Sequence, residues 1–588
     1  MPFLARVENT CLKDLAALFF WTLVLSAYGL GSLEFLRHTE ADRTLISWEM
    51  LERGNYLVPH LLGSEILTKP PLYYWFSAGM MKLLASHAEW AARAPSVFAA
   101  CCFVLVQYLF VLRITYSRSA ALLSGFFLST SFALFVLSAS AELDLLYGFL
   151  SAASLYCLYL ALTLRSFFWT LAAYAVLAAA FLAKGPPVVI FFAAVAAGFA
   201  PFLQFGSCKS TAAGPKRSLA ALVICHAAGV LLFCFLVLLW LYPVIKEVGY
   251  ATLLSVSRVE FAERALFPAR LPRSRLFYVF DFFGGLLPWS LLLAVLLRGW
   301  ICEKRAIEKN ADMCVFSREF VLFNILAVVL PLLLLSFSEA KAGRYSFPVQ
   351  AFGINLCAGA AFLLGGTAGE KRLYQFCSIL ALIIAFGALP AVLFVSIDGV
   401  NRGSFIVCAL VSSLAGLLLL LASLSKRPKA VLAAIGFLVF SLRVSYAGIY
   451  APHRNAVRSV RPIAAEIDQI LPQGTPLYTI ELFERWVGYY LKRLGRTTLR
   501  LTPVNCAELE ENKDGVVFLL LNAEEELWRL ELLQELPVQV RELRRFRLGR
   551  NKGVLVLMEV SAAGACALRP QKIFPTAPTK PFWPKVAR

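Results

Sequence analysis

The sequence predicts a mainly α-helical, polytopic membrane protein with a small α/β domain near its C-terminus. Two observations predict the membrane class: 59% of the 588 residues are hydrophobic, and the mean hydropathy is +0.71. This apolar fraction exceeds that of an ordinary soluble domain. The third observation is the spacing of the apolar runs, which predicts about thirteen transmembrane helices, because a helix needs about 20 apolar residues to cross a bilayer.

The apolar runs begin after Arg6 and Lys13, and the first of them is interpreted as an uncleaved helix rather than a signal peptide. Two close pairs, across Arg165 and across Lys184–Pro187, could each be one kinked helix instead. The predicted segments are 15–36, 95–112, 120–138, 144–163, 167–183, 186–203, 218–242, 281–297, 319–336, 345–366, 374–396, 403–424 and 430–448.

The charges of the loops predict how the helices are oriented. With the N-terminus in the cytoplasm, every predicted cytoplasmic loop carries Lys or Arg, as the positive-inside rule requires. These residues are Arg113, Arg118, Arg165, Lys209, Lys216, Arg217, Arg298, Lys304, Arg305, Lys309, Arg318, Lys371, Arg372, Lys426, Arg427 and Lys429. The formal net charge of +19 is therefore explained by helix orientation and contact with anionic lipid, and not by nucleic-acid binding.

This topology divides the chain into three parts. Residues 1–449 form the transmembrane domain, with extracytoplasmic loops at 37–94 and 243–280. Within the first loop, Glu40–Arg53 is amphipathic and is expected to lie in the membrane interface. Residues 450–562 are predicted to form an extracytoplasmic α/β domain, with strands in Thr475–Ile480 and Gly515–Asn522. Residues 563–588 are expected to be a flexible tail.

The cysteines and histidines do not indicate a metal or disulfide framework. Most of the 14 cysteines lie in apolar runs, and no CxxC pair occurs. Cys506 and Cys566 could pair if their region is extracytoplasmic. The five histidines show no ligand spacing. No cofactor is predicted, and a divalent metal ion stays an open possibility.

Charged residues gather in several separate loops on the predicted extracytoplasmic face. They are Glu40, Asp42, Lys69, Glu142, Asp144, Lys184, Arg258, Glu260, Glu263, Arg264, Glu339, Lys341 and Arg344, next to Tyr345. The simplest interpretation is a solvated loop charge at each position. Ionisable groups at this depth cost a few kcal/mol, however, unless they are paired or functional. Carboxylates that meet Lys and Arg would form a site for an anionic substrate, and the cations suit a phosphate.

Several motifs resemble a known family. The run TEADRTLISWEMLERGNYLVPHLLGSEILTKPPLYYW is similar to the first extracytoplasmic loop of bacterial lipid-linked-sugar transferases, the group of the aminoarabinose transferases and the relatives of protein O-mannosyltransferases. Further similarities are AELD before Leu145, AKG at 183–185, Glu260 with Arg264, GGLLPWS at 284–290 and K-x-x-R-Y at 341–345. They occur in the family's order and cover most of the first 350 residues.

The resemblance implies a GT-C-type fold and an inverting sugar transfer in the bacterial inner membrane. The donor would be a sugar on a polyprenyl phosphate, such as undecaprenyl phosphate, and the acceptor a lipid, a glycan or a protein. Glu40, Asp42 and Asp144 are the candidate catalytic acids, and Glu40 is preferred as the general base. The implied substrate-binding residues are Lys69, Glu142, Lys184, Glu260, Arg264, Lys341, Arg344 and Tyr345, with Lys69 on the donor phosphate.

The sequence departs from the family's pattern at two positions. Aminoarabinose transferases carry an Asp-Glu pair where this sequence has Thr39 and Glu40, and a Tyr where it has Arg43. If that Asp is the essential acid, another carboxylate must replace it. The change also weakens any assignment of aminoarabinose or lipid A as substrate.

Two other classes of protein remain as alternatives. A lipid or polyprenyl-phosphate transporter would place ionisable groups near the bilayer midplane in broken helices, often in repeated halves. Here the charges lie at one end of the predicted helices and no repeat is visible, which favours the enzyme. A non-catalytic envelope assembly protein is the second alternative, because of the departure at Thr39.

Overall fold

The computed structural model describes residues 2–36, 38–205, 219–258, 274–293, 316–338, 341–364, 368–394, 397–480, 485–501, 506, 515–523, 539–548 and 553–561. The first half of the chain folds into α1 (Pro2–Ala27), α2 (His38–Arg53), β1 (His60–Leu61), β2 (Ser64–Glu65), α3 (Leu72–Leu83), α4 (Glu89–Thr115), α5 (Arg118–Ser129), α6 (Phe132–Leu137), α7 (Asp144–Leu164), α8 (Phe167–Lys184), α9 (Pro187–Phe205), α10 (Leu219–Val248), α11 (Tyr250–Ser257) and α12 (Phe277–Gly285).

The second half continues with long helices and ends in a sheet. Its elements are α13 (Arg318–Phe337), a 3₁₀ turn (Gly343–Tyr345), α14 (Phe347–Leu364), α15 (Ala368–Phe394), α16 (Arg402–Ser425), α17 (Pro428–Ser445), a π-helical turn (Tyr446–Tyr450), α18 (Ala451–Arg458), α19 (Arg461–Ile470), β3 (Leu477–Thr479), α20 (Arg485–Arg493), β4 (Thr498–Arg500), β5 (Val516–Asn522), β6 (Val540–Arg547) and β7 (Val554–Ser561).

Among the described residues, eight helices are long and apolar enough to cross a membrane. Shorter apolar helices occupy Pro187–Phe202, Phe347–Ala361 and Tyr374–Gly387. The predicted membrane class and mainly helical fold are thus confirmed, while the count of thirteen spans stays a prediction. The tail at 563–588 and Cys566 lie outside the described residues.

Helices α7 and α8 form a tight antiparallel hairpin. Arg165 ends α7 with a left-handed backbone (φ 50°), and the Ser166 side chain then caps α8 by accepting a hydrogen bond from the Trp169 N–H. At the other end, α8 stops at Gly185, whose φ of 102° suits glycine. Both close pairs of predicted segments are therefore separate helices, and the first residue of α7 lies beside the last residue of α8.

The structure corrects two predicted helices. The segment 120–138 is broken at Thr130 and Ser131, because consecutive hydroxyls bond back to helix carbonyls: Thr130 Oγ1 donates to Phe126 O at 2.6 Å and Ser131 Oγ to Leu128 O at 2.8 Å. The freed Phe132 N–H donates to Leu287 O at 2.9 Å. The segment 281–297 is interrupted at 286–289 around Pro288, which lacks the N–H that a helix interior needs.

The C-terminal part contains a five-stranded mixed sheet in the order β4-β3-β5-β7-β6. The β3 strand is parallel to both neighbours, with Leu477 opposite Thr498 and Phe518, and β7 is antiparallel to β5 and β6. Strands β3 and β5 lie inside the two runs that the sequence predicts as strands.

This sheet and its helices cover α2, which corrects the expected environment of that helix. We expected α2 to present a polar face at the membrane surface. Instead, Leu45 and Met50 of α2 share one buried cluster with Ile467 of α19 and Tyr489 of α20. The acidic Glu49 is buried as well and accepts the backbone N–H of Leu62 at 2.7 Å. The helix is an internal element between the transmembrane helices and the sheet.

Candidate functional site

Side chains from several elements meet at the end of the α7–α8 hairpin. Lys184, the last residue of α8, forms a salt bridge from Nζ to Asp144 Oδ1 at the start of α7. The Lys184 ammonium also lies over two aromatic rings, 4.9 Å from the centroid of Tyr147 and 4.6 Å from that of Tyr345. Because ring faces attract cations, the lysine is held at a defined position.

Two carboxylates in the turn before and at the start of α7 share one arginine. Arg344 places Nη1 3.7 Å from Glu142 Oε1 and Nε 3.7 Å from Asp144 Oδ2. The carboxylates are almost fully buried, whereas the Arg344 side chain is 38% exposed. At 3.7 Å these contacts are ion pairs and not hydrogen bonds. The arginine can therefore turn toward an anionic ligand at little cost.

The 3₁₀ turn that carries Arg344 is anchored on α12. Ser346 Oγ donates to the Asp281 carboxylate, and the Ala342 N–H donates to Tyr278 OH at 3.3 Å. A Cβ on Gly343 would collide with the Asp281 carboxylate, so a larger residue here would displace that side chain. Sequence analysis missed Asp281 and Tyr278, since they follow no charge or motif pattern within an aromatic run.

Helix α2 contributes the residues at which the sequence departs from the family. The Thr39 hydroxyl donates to Glu142 Oε1. Arg43 Nη1 donates to Tyr74 OH at 2.5 Å, and its guanidinium carbon lies 5.6 Å from the centre of that ring. Burial alone would lower the pKa of Arg43, but Tyr74, Glu142 and Asp42 raise it, so the arginine stays charged. Tyr74 was missed as a site residue because aromatic residues there suit a membrane-interface anchor equally well.

The surroundings of Glu142 disfavour its ionisation. Burial and the nearby Asp144 raise the pKa of Glu142, while Arg43, Arg344 and the Thr39 hydroxyl oppose that rise. A carboxyl group with a raised pKa is a better proton acceptor once ionised, which is the property of a general base that works near neutral pH.

Glu40 lies next to this group but has different partners. Its carboxylate accepts hydrogen bonds from Arg93 Nε at 3.0 Å and Nη2 at 3.4 Å, and from the Ala141 N–H at 2.9 Å. Arg93 in turn donates to the backbone oxygens of Leu30 at 2.9 Å and Leu33 at 2.5 Å. Both side chains are buried, and the pair ties α4 to the turn that carries Glu142.

The remaining predicted site residues fall partly inside and partly outside the described part of the chain. Lys69 is half-buried in the turn before α3, and Lys341 is half-buried just before the 3₁₀ turn. Glu260 and Arg264 lie outside the described residues, as does Glu339. Within the part of the chain that the structure describes, no group of three or more His, Cys, Asp or Glu side chains could hold a metal ion.

Comparison with known proteins shows similarity to sugar transferases. Residues 68–241 match the family model described as dolichyl-phosphate-mannose-protein mannosyltransferase. The undecaprenyl phosphate-alpha-4-amino-4-deoxy-L-arabinose arabinosyl transferase of Yersinia enterocolitica is 26% identical over 348 residues, which is 57% of each chain. The protein of the same description from Pectobacterium carotovorum is 30% identical over 139 residues, or 24% of each chain.

The whole fold also resembles a solved structure. The crystal structure of ArnT from Cupriavidus metallidurans bound to undecaprenyl phosphate aligns with a TM-score of 0.66 and 16% identity, covering 95% of this chain and 99% of that one. The chain therefore has the same fold as this ArnT structure. Its sequence is similar to the bacterial arabinosyl transferases named above and, over residues 68–241, to the mannosyltransferase family model, as the motifs predicted. The sequence similarity spans 57% and 24% of the length of the two curated relatives.

Proposed function

We propose that this protein is a membrane glycosyltransferase that moves a sugar from a polyprenyl-phosphate carrier to an acceptor on the extracytoplasmic face. The observation that carries this proposal is the group formed by Glu142, Asp144, Lys184 and Arg344 at one end of the helices, in a fold shared with ArnT. Such a group contains both parts that the reaction needs: cations for a leaving phosphate and a base for an acceptor hydroxyl.

The cations would act on the donor. When the bond between the sugar's anomeric carbon and the phosphate oxygen breaks, the electron pair stays on the phosphate. Lys184 and Arg344 offset this growing charge, because positioned cations stabilise a developing anion in a water-poor site. Lys69 and Lys341, both half-buried, are the further candidates, and the resemblance adds Arg264.

Glu142 would act on the acceptor. As the acceptor oxygen forms its bond to the anomeric carbon, its proton passes to the Glu142 carboxylate. The family's motif expects an acid at position 39, and the Thr39 hydroxyl there contacts Glu142. The carboxylate is thus delivered to the same place from a different part of the chain. A single displacement of this kind inverts the anomeric carbon.

The other acids take supporting roles in this proposal, which changes the preference for Glu40 as the base. Glu40 is saturated by Arg93 and Ala141, so it positions the turn of Glu142. Asp144 is engaged by Lys184 and Arg344, so its carboxylate holds the two cations that would bind the donor phosphate. Asp42 helps to keep Arg43 charged.

The proposed membrane arrangement keeps thirteen spans, a cytoplasmic N-terminus and an extracytoplasmic C-terminal domain. Eight helices of spanning length and three shorter apolar ones support a large number of spans. The basic loops support the orientation. The site then faces the outer leaflet, where the sugar of a polyprenyl-phosphate carrier would be presented.

The test compares bacterial cells that lack this protein with cells that carry it, using mass spectrometry of envelope lipids, glycans and proteins. We expect a sugar substituent that depends on the wild-type chain and disappears with Lys184→Met, which removes the cation but keeps the chain length. Lys82→Met, at an exposed position of α3, is the matched control and should restore the substituent.

Two outcomes would contradict the proposal. The first is that cells with Lys184→Met contain as much of the sugar substituent as cells with the wild-type chain. The second is an unchanged set of glycans and lipids with an altered distribution of lipids between membranes or leaflets, which would favour the transporter.

A further inference from the structure

A small polar cavity lies where the first loop meets the C-terminal sheet. It has a volume of about 230 Å³ and lies between the end of α2, the β1–β2 turn, α20 and β4. Helix α2 runs from the proposed active site to this cavity: Thr39 at its start contacts Glu142, and Glu52 near its end lines the cavity. At 1.5 Å per helical residue, Thr39 and Glu52 are about 20 Å apart. The cavity is therefore a separate site.

Two pairs of opposite charges stand in the wall of this cavity. Lys492 Nζ forms a salt bridge with Glu52 Oε2 at 2.5 Å. Arg53 Nε lies 3.8 Å from Glu49 Oε2, which is too far for a hydrogen bond. The side chains of Lys492, Glu52 and Arg53 stay 20%, 51% and 44% exposed. The wall thus presents carboxylate lone pairs next to N–H donors that a ligand can reach.

The balance of charge disfavours a phosphate or a metal ion as the ligand. Among the described residues of the wall, the remaining cation is Arg496, which donates to the Asp468 carboxylate. Arg496 Nη2 also donates to Asp468 O at 2.7 Å and Leu471 O at 3.0 Å. Each cation of the wall therefore already has an acid beside it. A neutral ligand with several hydroxyls fits better, because a hydroxyl both donates and accepts hydrogen bonds.

A buried hydroxyl in the wall lacks a partner. Thr498 of β4 lines the cavity and is 8% exposed. Its Oγ1 has no hydrogen-bond partner within the part of the chain that the structure describes. An unpaired buried hydroxyl costs folding free energy. A hydroxylated ligand in the cavity would supply the missing partner.

A glycine of α20 leaves room for this ligand. Glycine inside a helix costs folding free energy relative to alanine. A Cβ on Gly488 would meet Leu62 Cδ2 at 3.4 Å and Thr498 Cγ2 at 3.8 Å, which are ordinary van der Waals distances. Packing therefore gives no reason for glycine at this position. Because Gly488 and both of these neighbours line the cavity, the missing side chain enlarges the cavity instead.

We propose that this cavity binds one sugar ring, as a free sugar or as a unit of a glycan. Neighbouring hydroxyls of the ring would donate to the Glu52 carboxylate and accept from Lys492 and Arg53. The volume suits a single ring, since it is smaller than the roughly 300–1,000 Å³ of a site for a drug-sized ligand. The inference goes beyond the proposed function, because this site takes no part in the transfer step.

The experiment measures sugar binding to the purified full-length chain in nanodiscs of phosphatidylethanolamine and phosphatidylglycerol, which avoid detergents with sugar headgroups. The probes are the methyl glycosides of glucose, galactose, mannose and N-acetylglucosamine, then maltotetraose and chitotetraose, and inorganic phosphate as a competitor. Saturation-transfer NMR gives the Kd of each. Gly488→Ala adds one methyl group to the wall, and Gly79→Ala, at an exposed position of α3 with open space around it, is the matched control. Glu52→Gln removes one charged acceptor.

We expect at least one of the sugars to bind the wild-type chain and Gly79→Ala with the same Kd. In Gly488→Ala and Glu52→Gln the Kd should rise by roughly tenfold, corresponding to about 1.4 kcal/mol. Lys184→Met should bind the sugar like the wild-type chain, so this site and the proposed function fail independently. A tighter Kd for a tetrasaccharide than for its methyl glycoside identifies a glycan as the ligand, and equal values identify a free sugar.

Three results would overturn the inference. They are the absence of binding by every sugar of the panel, a wild-type Kd in both Gly488→Ala and Glu52→Gln, and displacement of the sugar by phosphate, which would indicate an anion site. Thermal unfolding shows whether Gly488→Ala is folded. If it is not, the Kd of Glu52→Gln decides, because this side chain is 51% exposed and its replacement leaves the fold intact.

Discussion

Two buried carboxylate regions lie within a few residues of each other and differ in how completely they are paired. Glu40 is bound on all sides, by two nitrogens of Arg93 and by the Ala141 N–H, at 2.9–3.4 Å. Glu142 and Asp144 instead crowd each other and share Arg344 at 3.7 Å. A saturated buried pair holds structure together, whereas crowded acids that share a loosely held arginine retain capacity for a substrate. We therefore expect a structural role for Glu40 and a chemical role for Glu142 and Asp144.

The largest expected effect is the loss of transfer in Glu142→Gln. The amide cannot accept the proton, so we expect the rate to fall by about 10²–10⁴-fold, the usual contribution of a general base. Transfer is measured with the purified chain and the donor that the envelope analysis identifies. Glu142→Asp, which keeps a carboxylate on a shorter arm, should retain part of the rate.

The variant Glu142→Gln should not lower the stability of the folded protein, and this expectation distinguishes Glu142 from Glu40. Because the pKa of Glu142 is raised in the folded protein, the folded state binds more protons than the unfolded state, and stability falls as the pH rises through that pKa. Glu142→Gln removes this cost and should be at least as stable as wild type at high pH. A markedly lower melting temperature would count against the assignment.

The second effect is a loss of stability in Glu40→Gln. Removing one partner leaves the Arg93 charge buried without its carboxylate, which costs about 3–5 kcal/mol of folding free energy. Thermal unfolding in detergent measures this, and the double variant Glu40→Gln with Arg93→Met should recover part of it. A variant as stable as wild type but without activity would restore Glu40 as the base.

The smallest effect is a shift of the pH profile in Thr39→Val. The Thr39 hydroxyl stabilises the ionised form of Glu142 and so lowers its pKa; without it the pKa rises further. Since the base must be ionised to act, the acid limb of the kcat/KM profile should move to higher pH. Thr39→Ser keeps the hydroxyl and should keep the wild-type limb. If the acid limb of the kcat/KM profile lies at the same pH in Thr39→Val and wild type, the contact between Thr39 and Glu142 has no role in the mechanism.

Much of this arrangement could be predicted from sequence, because hydropathy and loop charge act locally. The helical segments and the amphipathic start of the first loop follow from patterns within a few residues. Asp144 and Lys184 meet because α7 and α8 form an antiparallel hairpin, which brings the end of the second helix back beside the start of the first.

The partnerships could not be predicted in the same way. Glu40 and Arg93 are 53 residues apart, and Arg93 stands at the start of an apolar helix with no local sign of its partner. Thr39 gave a signal only as a departure from the family's motif; its contact with Glu142 spans 103 residues. Such choices among possible partners depend on tertiary packing. Because its pairing with Arg93 is not visible in the sequence, Glu40 is the preferred base when the sequence is the sole guide.

The contact of Asp144 with Lys184 also joins two helix ends of opposite partial charge. Asp144 begins α7, where the macrodipole is positive and favours an anion, and Lys184 ends α8, where the macrodipole is negative and favours a cation. Each charge thus retains a stabilising dipole when the two side chains separate. Opening the salt bridge would therefore free the Lys184 ammonium for a phosphate while both side chains stay next to a helix end of favourable partial charge.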